Sequence, residues 1–252
     1  MSKRHKLIGI KQVVRIEWYD LALNCLLNGQ SSSSIRKYLD ETIRERRQSG
    51  GFGDRGEQTY TKAVTQIMKC WILPDREVIP FRNALLDYAR QHPGGNRLAL
   101  HWAITMAAYP FWYKMAFQVG RLLNLQDSIT QNQIRQRCFE TLGQRSTVER
   151  SARRVIRSFV AWGALKDSEA KGCYEKAALA GIVDKNLAIL MLESALLAIP
   201  EGKSALGLLR NNPAFFPFQL PVMTGDFVAQ RNDRIDVVRC GLDDELIKLS
   251  GS

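Results

Sequence analysis

Four arginines, at positions 150, 153, 154 and 157, have the residue type and spacing that most clearly suggest a chemistry. Offsets of three, four and seven residues place them on one side of an α-helix. A guanidinium group donates two parallel hydrogen bonds to phosphate oxygens, or to the O6 and N7 atoms of guanine. The pattern therefore predicts a helix face that binds nucleic acid. The alternative is a solvated face that pairs with acidic segments of this chain or of a protein partner.

The residues before these arginines predict two helices joined by a short turn. Thr130 with Gln133, and Ser146 with Glu149, have the spacing of a capping box, in which side chains satisfy the free backbone N–H groups at a helix start. Gly143 is expected to end the first helix in the left-handed conformation. Only two residues then separate the helices, which is typical of a helix-turn-helix unit.

The arginine-bearing helix is expected to pack its other side into the core and to lead into a β-hairpin. The apolar positions on that other side are Val148, Ala152, Val155, Ile156 and Phe159. After Gly163, the segment ALKDSEAKGCYE predicts two short strands joined by a polar turn, with Lys166 and Lys171 in the hairpin. Helix, turn, arginine helix and hairpin follow the order of a winged helix.

The first part of the chain repeats this scheme less clearly. The segments IEWYDLALNCLL, SSSIRKYLDETIRERR and YTKAVTQIMKCWI predict three helices and a second helix-turn-helix module. The third helix is expected to present Lys62, Thr65, Gln66 and Lys69 opposite its apolar face, where they could contact phosphates or base edges. A merely solvated face explains this set at least as well.

Two glycine-containing segments suggest a nucleotide site but lack its context. Gly51, Gly53 and Gly56 have the spacing of a dinucleotide-binding loop, which requires a strand before it and a helix after it. An amphipathic helix is predicted before these glycines, so we interpret them as part of a surface loop between helices. The GKS at residues 202–204 lacks the first glycine of a phosphate loop and is interpreted as a helix start.

Catalytic and metal-ligating patterns are weak throughout. His5, His92 and His101 are the three histidines, and none has a second ligand at metal-binding spacing. The acidic residues 243–245 are interpreted as solvated surface. The sequence therefore predicts a protein that is not an enzyme and that holds no metal or cofactor.

Composition favours a polyanionic partner inside the cell. The 252 residues carry 36 Lys and Arg against 25 Asp and Glu, a net charge of +11. Five cysteines form no C-x-x-C pair, so reduced thiols and a cytoplasmic location are expected. The longest uncharged stretch, residues 98–113, is shorter than the roughly 20 residues of a spanning helix and contains Pro110. We predict a buried helix with a proline break and no membrane span.

The stretch from Leu98 to Leu165, which begins LALHWAITMAAYPFWYKMAF and ends SARRVIRSFVAWGAL, resembles the BrxA family. BrxA proteins are components of bacteriophage exclusion (BREX) defence systems. The resemblance extends from the first helices through the hairpin and is sharpest between residues 145 and 165. It implies a small non-enzymatic DNA-binding component that works beside a methyltransferase, an ATPase and other subunits, and it supplies no catalytic motif.

The expected architecture is mainly α, with two helix-turn-helix or winged-helix modules joined by packed helices, short β wings and a small α/β C-terminal part. The predicted divisions are 1–80 for the first module, 81–180 for the helical connector and the winged helix, and 181–252 for the C-terminal part.

Double-stranded DNA is the expected partner. A scaffold whose basic face binds an acidic protein, or an RNA-binding protein, is the alternative. The predicted DNA-binding residues are Arg145, Ser146, Thr147, Arg150, Arg153, Arg154, Arg157, Lys166, Lys171, Lys62, Thr65, Gln66 and Lys69.

Overall fold

Helices make up most of the protein in the computed structural model, which describes residues 3–45, 57–178, 180–182, 184–239 and 245–251. The prediction of a mainly α protein is confirmed. The α-helices of these ranges are α1 (Ile16–Leu27), α2 (Ser32–Glu45), α3 (Glu57–Ile67), α4 (Ile79–Gln91), α5 (Arg97–Ala108), α6 (Pro110–Leu123), α7 (Gln131–Leu142), α8 (Ser146–Ala161), α9 (Lys185–Ala198), α10 (Leu206–Arg210) and α11 (Gly225–Arg231). The strands are β1 (Ser128–Thr130), β2 (Leu165–Asp167), β3 (Cys173–Lys176), β4 (Ala180–Gly181), β5 (Lys203–Ala205), β6 (Phe218–Gln219), β7 (Ile235–Arg239) and β8 (Glu245–Leu249).

Two buried helices, α5 and α9, pack against each other at the centre of the fold. Residues 99–108 of α5 and 187–198 of α9 are all buried, because these segments are apolar on every side. The predicted proline break is confirmed, since Pro110 lies in the first turn of α6, where a missing N–H costs nothing. No helix in the described ranges is long and apolar enough to span a bilayer.

Aromatic side chains from four helices fix how α8 sits on this centre. The ring of Phe159 on α8 lies 5.0 Å from that of Trp102 on α5 and 4.8 Å from that of Trp112 on α6. One turn later, Trp162 lies 4.8 Å from Trp112 and 5.1 Å from Tyr19 on α1. Edge-to-face and offset contacts at these centroid distances stabilise a core beyond the area they bury. The rotation of α8 about its own axis is therefore fixed.

The predicted hairpin after α8 is present and belongs to a three-stranded antiparallel sheet in the order β1-β3-β2. Strand β3 is central and pairs Tyr174 with Ile129 of β1 and with Asp167 of β2. The elements from α6 to β3 thus run helix, strand, helix, helix, strand, strand. The described residues before β1 form no strand, so only helices represent the first predicted module and no wing is seen there.

The C-terminal part mixes strands and helices, as predicted, but two of its elements differ from expectation. The sequence predicts a helix from Lys203 to Asn211, and this prediction is wrong at its start, because residues 203–205 form β5, which pairs with β8. The interpretation of GKS as a helix start is wrong for the same reason. After the loop NNPAFFPFQLP the sequence predicts strands, but helix α11 comes first. The segment DRIDVVRCGLDDELIKL predicts a strand followed by a short helix or a hairpin, and the antiparallel pair of β7 and β8 confirms the hairpin.

A buried ion pair attaches this part to the central helix. Glu193, which interrupts the apolar sequence of α9, is buried and accepts two hydrogen bonds from Arg234, at 2.7 and 2.8 Å. Asn232 donates a third at 2.7 Å, so the buried carboxylate is fully partnered. Buried apolar residues from Ile10 to Ile247 form one cluster that draws on all three predicted divisions. The boundaries at 80 and 180 stay predictions.

His101 on α5 is a buried histidine whose bonding fixes its protonation state. The indole N–H of Trp71 donates to Nδ1 at 3.2 Å, so the ring proton is on Nε2, which donates to Asp20 Oδ1 at 2.9 Å. Burial lowers the pKa of His101 despite the nearby carboxylate. Burial also lowers the pKa of His5, with the charge of Arg4 adding to the effect.

These two histidines predict a pH-dependent stability. Because the folded state disfavours the protonated rings, stability is intact above about pH 6.5, the unfolded value. It is lost as the pH falls from there toward the lowered folded-state pKa values. The free energy of unfolding should fall by at most about 1.4 kcal/mol per pH unit for each histidine in this range. Urea unfolding between pH 5.5 and 7.5 measures it, and His101→Asn should flatten the slope to the part due to His5. If His101→Asn leaves the dependence of the unfolding free energy on pH unchanged, His101 does not cause it.

Candidate nucleic-acid interface

The turn between α7 and α8 holds the arginine helix at the surface. The capping box predicted at Thr130 is present: Thr130 Oγ1 accepts from the N–H of Gln133 at 3.1 Å, and Gln133 Oε1 accepts from the N–H of Thr130 at 2.8 Å. Gly143 ends α7 with a positive φ of 81°, which favours glycine, but its ψ of 154° differs from the left-handed helical conformation that the sequence predicts.

The second predicted capping box is wrong. Helix α8 begins at Ser146 itself, and the extended residue Arg145 is the N-cap without a capping hydrogen bond from its side chain. Glu149 does not reach back to the helix start. It pairs instead with Arg135 at 3.5 Å and Arg153 at 3.8 Å, because cations on both sides attract its carboxylate.

The apolar face of α8 is buried and its basic face is turned outward, as the sequence predicts. The apolar residues Val148, Ala152, Val155, Ile156 and Phe159 are buried. Of the opposite face, Arg150, Arg153 and Arg157 are exposed and Arg154 is half-buried. Ser146 and Thr147 are exposed in the first turn, and Arg145 is exposed beside them, where it donates to the carbonyl of Leu142 at 3.0 Å.

The four arginines of α8 differ in their partners. Arg157 donates to Asp167 of β2 at 2.5 Å, and this hydrogen bond raises its pKa. Arg153 has the longer contact with Glu149. Within the described ranges, Arg150 and Arg154 form no ion pair, and the pKa of Arg154 is lowered by partial burial and by the charge of Arg150. Two like charges therefore lie together without a carboxylate to offset them.

The hairpin contributes less positive charge than its lysines suggest. Lys166 pairs with Glu175 on the neighbouring strand at 2.9 Å, which lowers the pKa of that glutamate. Lys171 is exposed in the turn beside Gly172, whose φ is 78°. Lys171 is therefore the better placed of the two predicted hairpin lysines to meet an outside anion.

Three of the four residues predicted on α3 and its continuation are at least partly accessible. Lys62 and Thr65 are exposed, and the Thr65 hydroxyl donates to the carbonyl of Thr61. Lys69 lies in a π-helical turn, Met68–Ile72, that extends α3. It pairs with Asp75 at 3.1 Å and lies over the ring of Tyr109, so its charge is already offset.

The prediction that Gln66 lies on the solvent side of this helix is wrong. Gln66 is 2% exposed and holds the backbone of the N-terminal segment, defined as residues 6–15. Its Oε1 accepts from the N–H groups of Lys11 at 2.5 Å and Gln12 at 2.7 Å, and its Nε2 donates to the carbonyl of Gln12 at 3.1 Å. A segment without regular structure has backbone groups that need such partners.

Helix α8 holds the other side of the N-terminal segment. The hydroxyl of Ser151 donates to the carbonyl of Ile10 at 2.8 Å, and that of Ser158 accepts from the N–H of Val14 at 3.1 Å. The indole N–H of Trp162 donates to the carbonyl of Val14 at 3.1 Å. The segment thus lies between α3 and α8, and it brings Lys62 and the arginine helix to one groove. The two serines on the inner side of α8, Ser151 and Ser158, are the sequence signal of this contact.

The glycine loop at 51–56 and the acidic residues 243 and 244 lie outside the described residues. Among the residues that are described, no group of three or more His, Cys, Asp and Glu side chains is placed to hold a metal ion.

Comparisons with known proteins identify no relative. No protein family, curated protein or solved structure matches the chain. The resemblance to BrxA stays a prediction, and the function must be argued from the surface itself.

Gln66→Ala tests the structural role of this side chain. Two backbone N–H groups and one carbonyl lose their partner, so the free energy of unfolding should fall by about 2–3 kcal/mol. Thr65→Ala is the matched control, since its hydroxyl bonds only within α3, and it should change stability by less than about 0.5 kcal/mol. Urea unfolding of both variants makes the comparison. Equal stabilities would show that Gln66 does not hold the N-terminal segment.

Proposed function

We propose that the protein binds double-stranded DNA without acting as an enzyme, and that α8 is its recognition helix. The observation that carries the proposal is the outward face of α8, on which Arg150, Arg153, Arg154 and Arg157 lie opposite a fully buried apolar face. An exposed helix fits the major groove, and arginine binds phosphates and guanine there.

The elements around α8 support this role. In a winged helix, a helix and a strand precede a helix-turn-helix whose second helix reads DNA, and a β-hairpin follows. We propose that α6, β1, α7, α8, β2 and β3 form such a unit. The first three helices would form a second helix-turn-helix module beside it, with Lys62 of α3 in the shared groove.

The net charge of +11 supports a phosphate-dominated mode of binding. Following the resemblance to BrxA, we propose that the protein serves a BREX anti-phage system in the cytoplasm, beside its methyltransferase and ATPase. A protein scaffold or an RNA-binding role is the competing proposal, and the binding experiment below includes it.

Replacing all four arginines of α8 by alanine should abolish tight DNA binding. Each lost phosphate contact reduces the slope of log K against log salt by roughly 0.9, so the slope should fall by up to about 3.6. Fluorescence anisotropy with a labelled duplex across a salt series measures this. A variant that replaces four exposed arginines elsewhere, Arg36, Arg76, Arg90 and Arg239, is the charge-matched control.

The same titration separates the competing proposals. Wild-type protein that binds no duplex at low salt would refute DNA binding and direct the search to acidic proteins. Stronger competition by A-form RNA than by DNA of equal length would favour an RNA role.

Asp167→Asn should strengthen DNA binding. This carboxylate neutralises Arg157 and would repel a phosphate next to α8, so removing its charge should raise the affinity by roughly threefold at low salt. Asp87→Asn on α4 breaks a comparable exposed pair with Arg90 and makes the same change in net charge. Anisotropy should show a larger gain in DNA affinity for Asp167→Asn than for Asp87→Asn. Equal gains would mean that Arg157 does not face the DNA.

A further inference from the structure

A groove of about 460 Å³ runs between the N-terminal segment, α3 and α8. Its walls hold five cationic side chains together with the hydroxyl-bearing Thr147 and Ser151, and none of the described residues that line it is a carboxylate. The cations are Lys6, Lys11, Lys62, Arg150 and Arg154. Neither Lys6 nor Lys11 belongs to the helix-turn-helix or hairpin patterns of the sequence.

The N-terminal segment is fixed in place, which fixes the backbone positions of its two lysines. Its carbonyl and N–H groups are held by Gln66 from one side and by Ser151, Ser158 and Trp162 from the other. Gly9 has a φ of 68°, and a Cβ there would lie 2.8 Å from the ring of Tyr109, so only glycine fits this close approach. A groove wall held in this way is arranged before any ligand arrives.

Four of the five groove cations, Lys6, Lys11, Arg150 and Arg154, form no ion pair with the residues that the structure describes. Lys6 and Lys11 are exposed, and in the described part of the chain neither forms an ion pair. Arg150 and Arg154 likewise have no carboxylate partner there. Gathering like charges costs free energy that an anion in the groove would recover.

Arg150 and Arg154 belong both to this groove and to the outward face of α8. An anion bound in the groove would therefore lie next to a ligand bound on the outward face of α8. A DNA backbone meets this requirement, because its phosphates continue past the site where a helix lies in the groove of the duplex. A single small anion could bind in the groove without contacting the outward face of α8.

We propose that the groove binds backbone phosphates of the same duplex that α8 contacts, with Lys6 and Lys11 as phosphate-binding residues beside the arginine helix. This inference rests on the proposed function and extends it to the N-terminal segment.

The test compares Lys6→Gln/Lys11→Gln with wild type by fluorescence anisotropy on a labelled 20-base-pair duplex across a salt series. Two lost contacts should reduce the slope by up to about 1.8 and weaken binding at 0.1 M salt by roughly tenfold or more. The matched control is Lys185→Gln/Lys203→Gln, which removes the same charge from exposed positions in the C-terminal part. It should retain the wild-type slope. Thermal unfolding checks that both variants fold.

The outcomes separate this inference from the proposed function. If the four-arginine variant loses binding while Lys6→Gln/Lys11→Gln behaves like its control, the groove assignment is overturned and α8 keeps its role. If wild type binds no duplex, both fail. Inorganic phosphate at constant ionic strength supplies the last arm. If Lys6→Gln/Lys11→Gln loses the inorganic-phosphate binding that wild type shows in calorimetry but keeps the wild-type DNA affinity and salt slope, the groove is a small-anion site and the DNA assignment is overturned.

Discussion

The packing of Phe159 and Trp162 into the aromatic cluster is the constraint on which the candidate interface depends. These rings contact Trp102, Trp112 and Tyr19, which come from three other helices. A helix held by two large rings one turn apart cannot rotate without breaking the core. The direction of its opposite face follows from this packing. The arginines need no partner of their own to stay outside, because the core already determines where they point.

The local architecture of the interface could be predicted from the sequence. The period of α8, the capping box at Thr130 and the glycine at 143 are local patterns, each of which depends on neighbours within four residues. The hairpin was also predictable from its turn residues. Its third strand, β1, was not, because a three-residue strand has almost no local signal and is defined by its pairing with β3.

Long-range contacts account for the errors. The helical pattern places Gln66 on the solvent side because it treats amides as outward-facing, but this amide bonds to backbone that lies 54 positions earlier in the chain. The strand at Lys203 likewise requires β8, more than forty residues later. The groove that joins Lys6, Lys62 and Arg150 was missed for the same reason. In the sequence, each of these cations has the pattern of an ordinary solvated residue, and only the fold brings the three segments together.

The position of the N-terminal segment also bears on how the chain reaches its native state. Its hydrogen bonds with α8 join residues separated by 141 to 148 positions, and the guanidinium of Arg4 donates to the carbonyl of Leu197 at 2.9 Å, 193 positions away. Such contacts close very long loops, so they form late and slow the search for the native state. During synthesis on the ribosome, this basic segment is made before α8 and has no docking surface until α8 has emerged. The segment is therefore made before the helix that holds it, and it docks only after that helix.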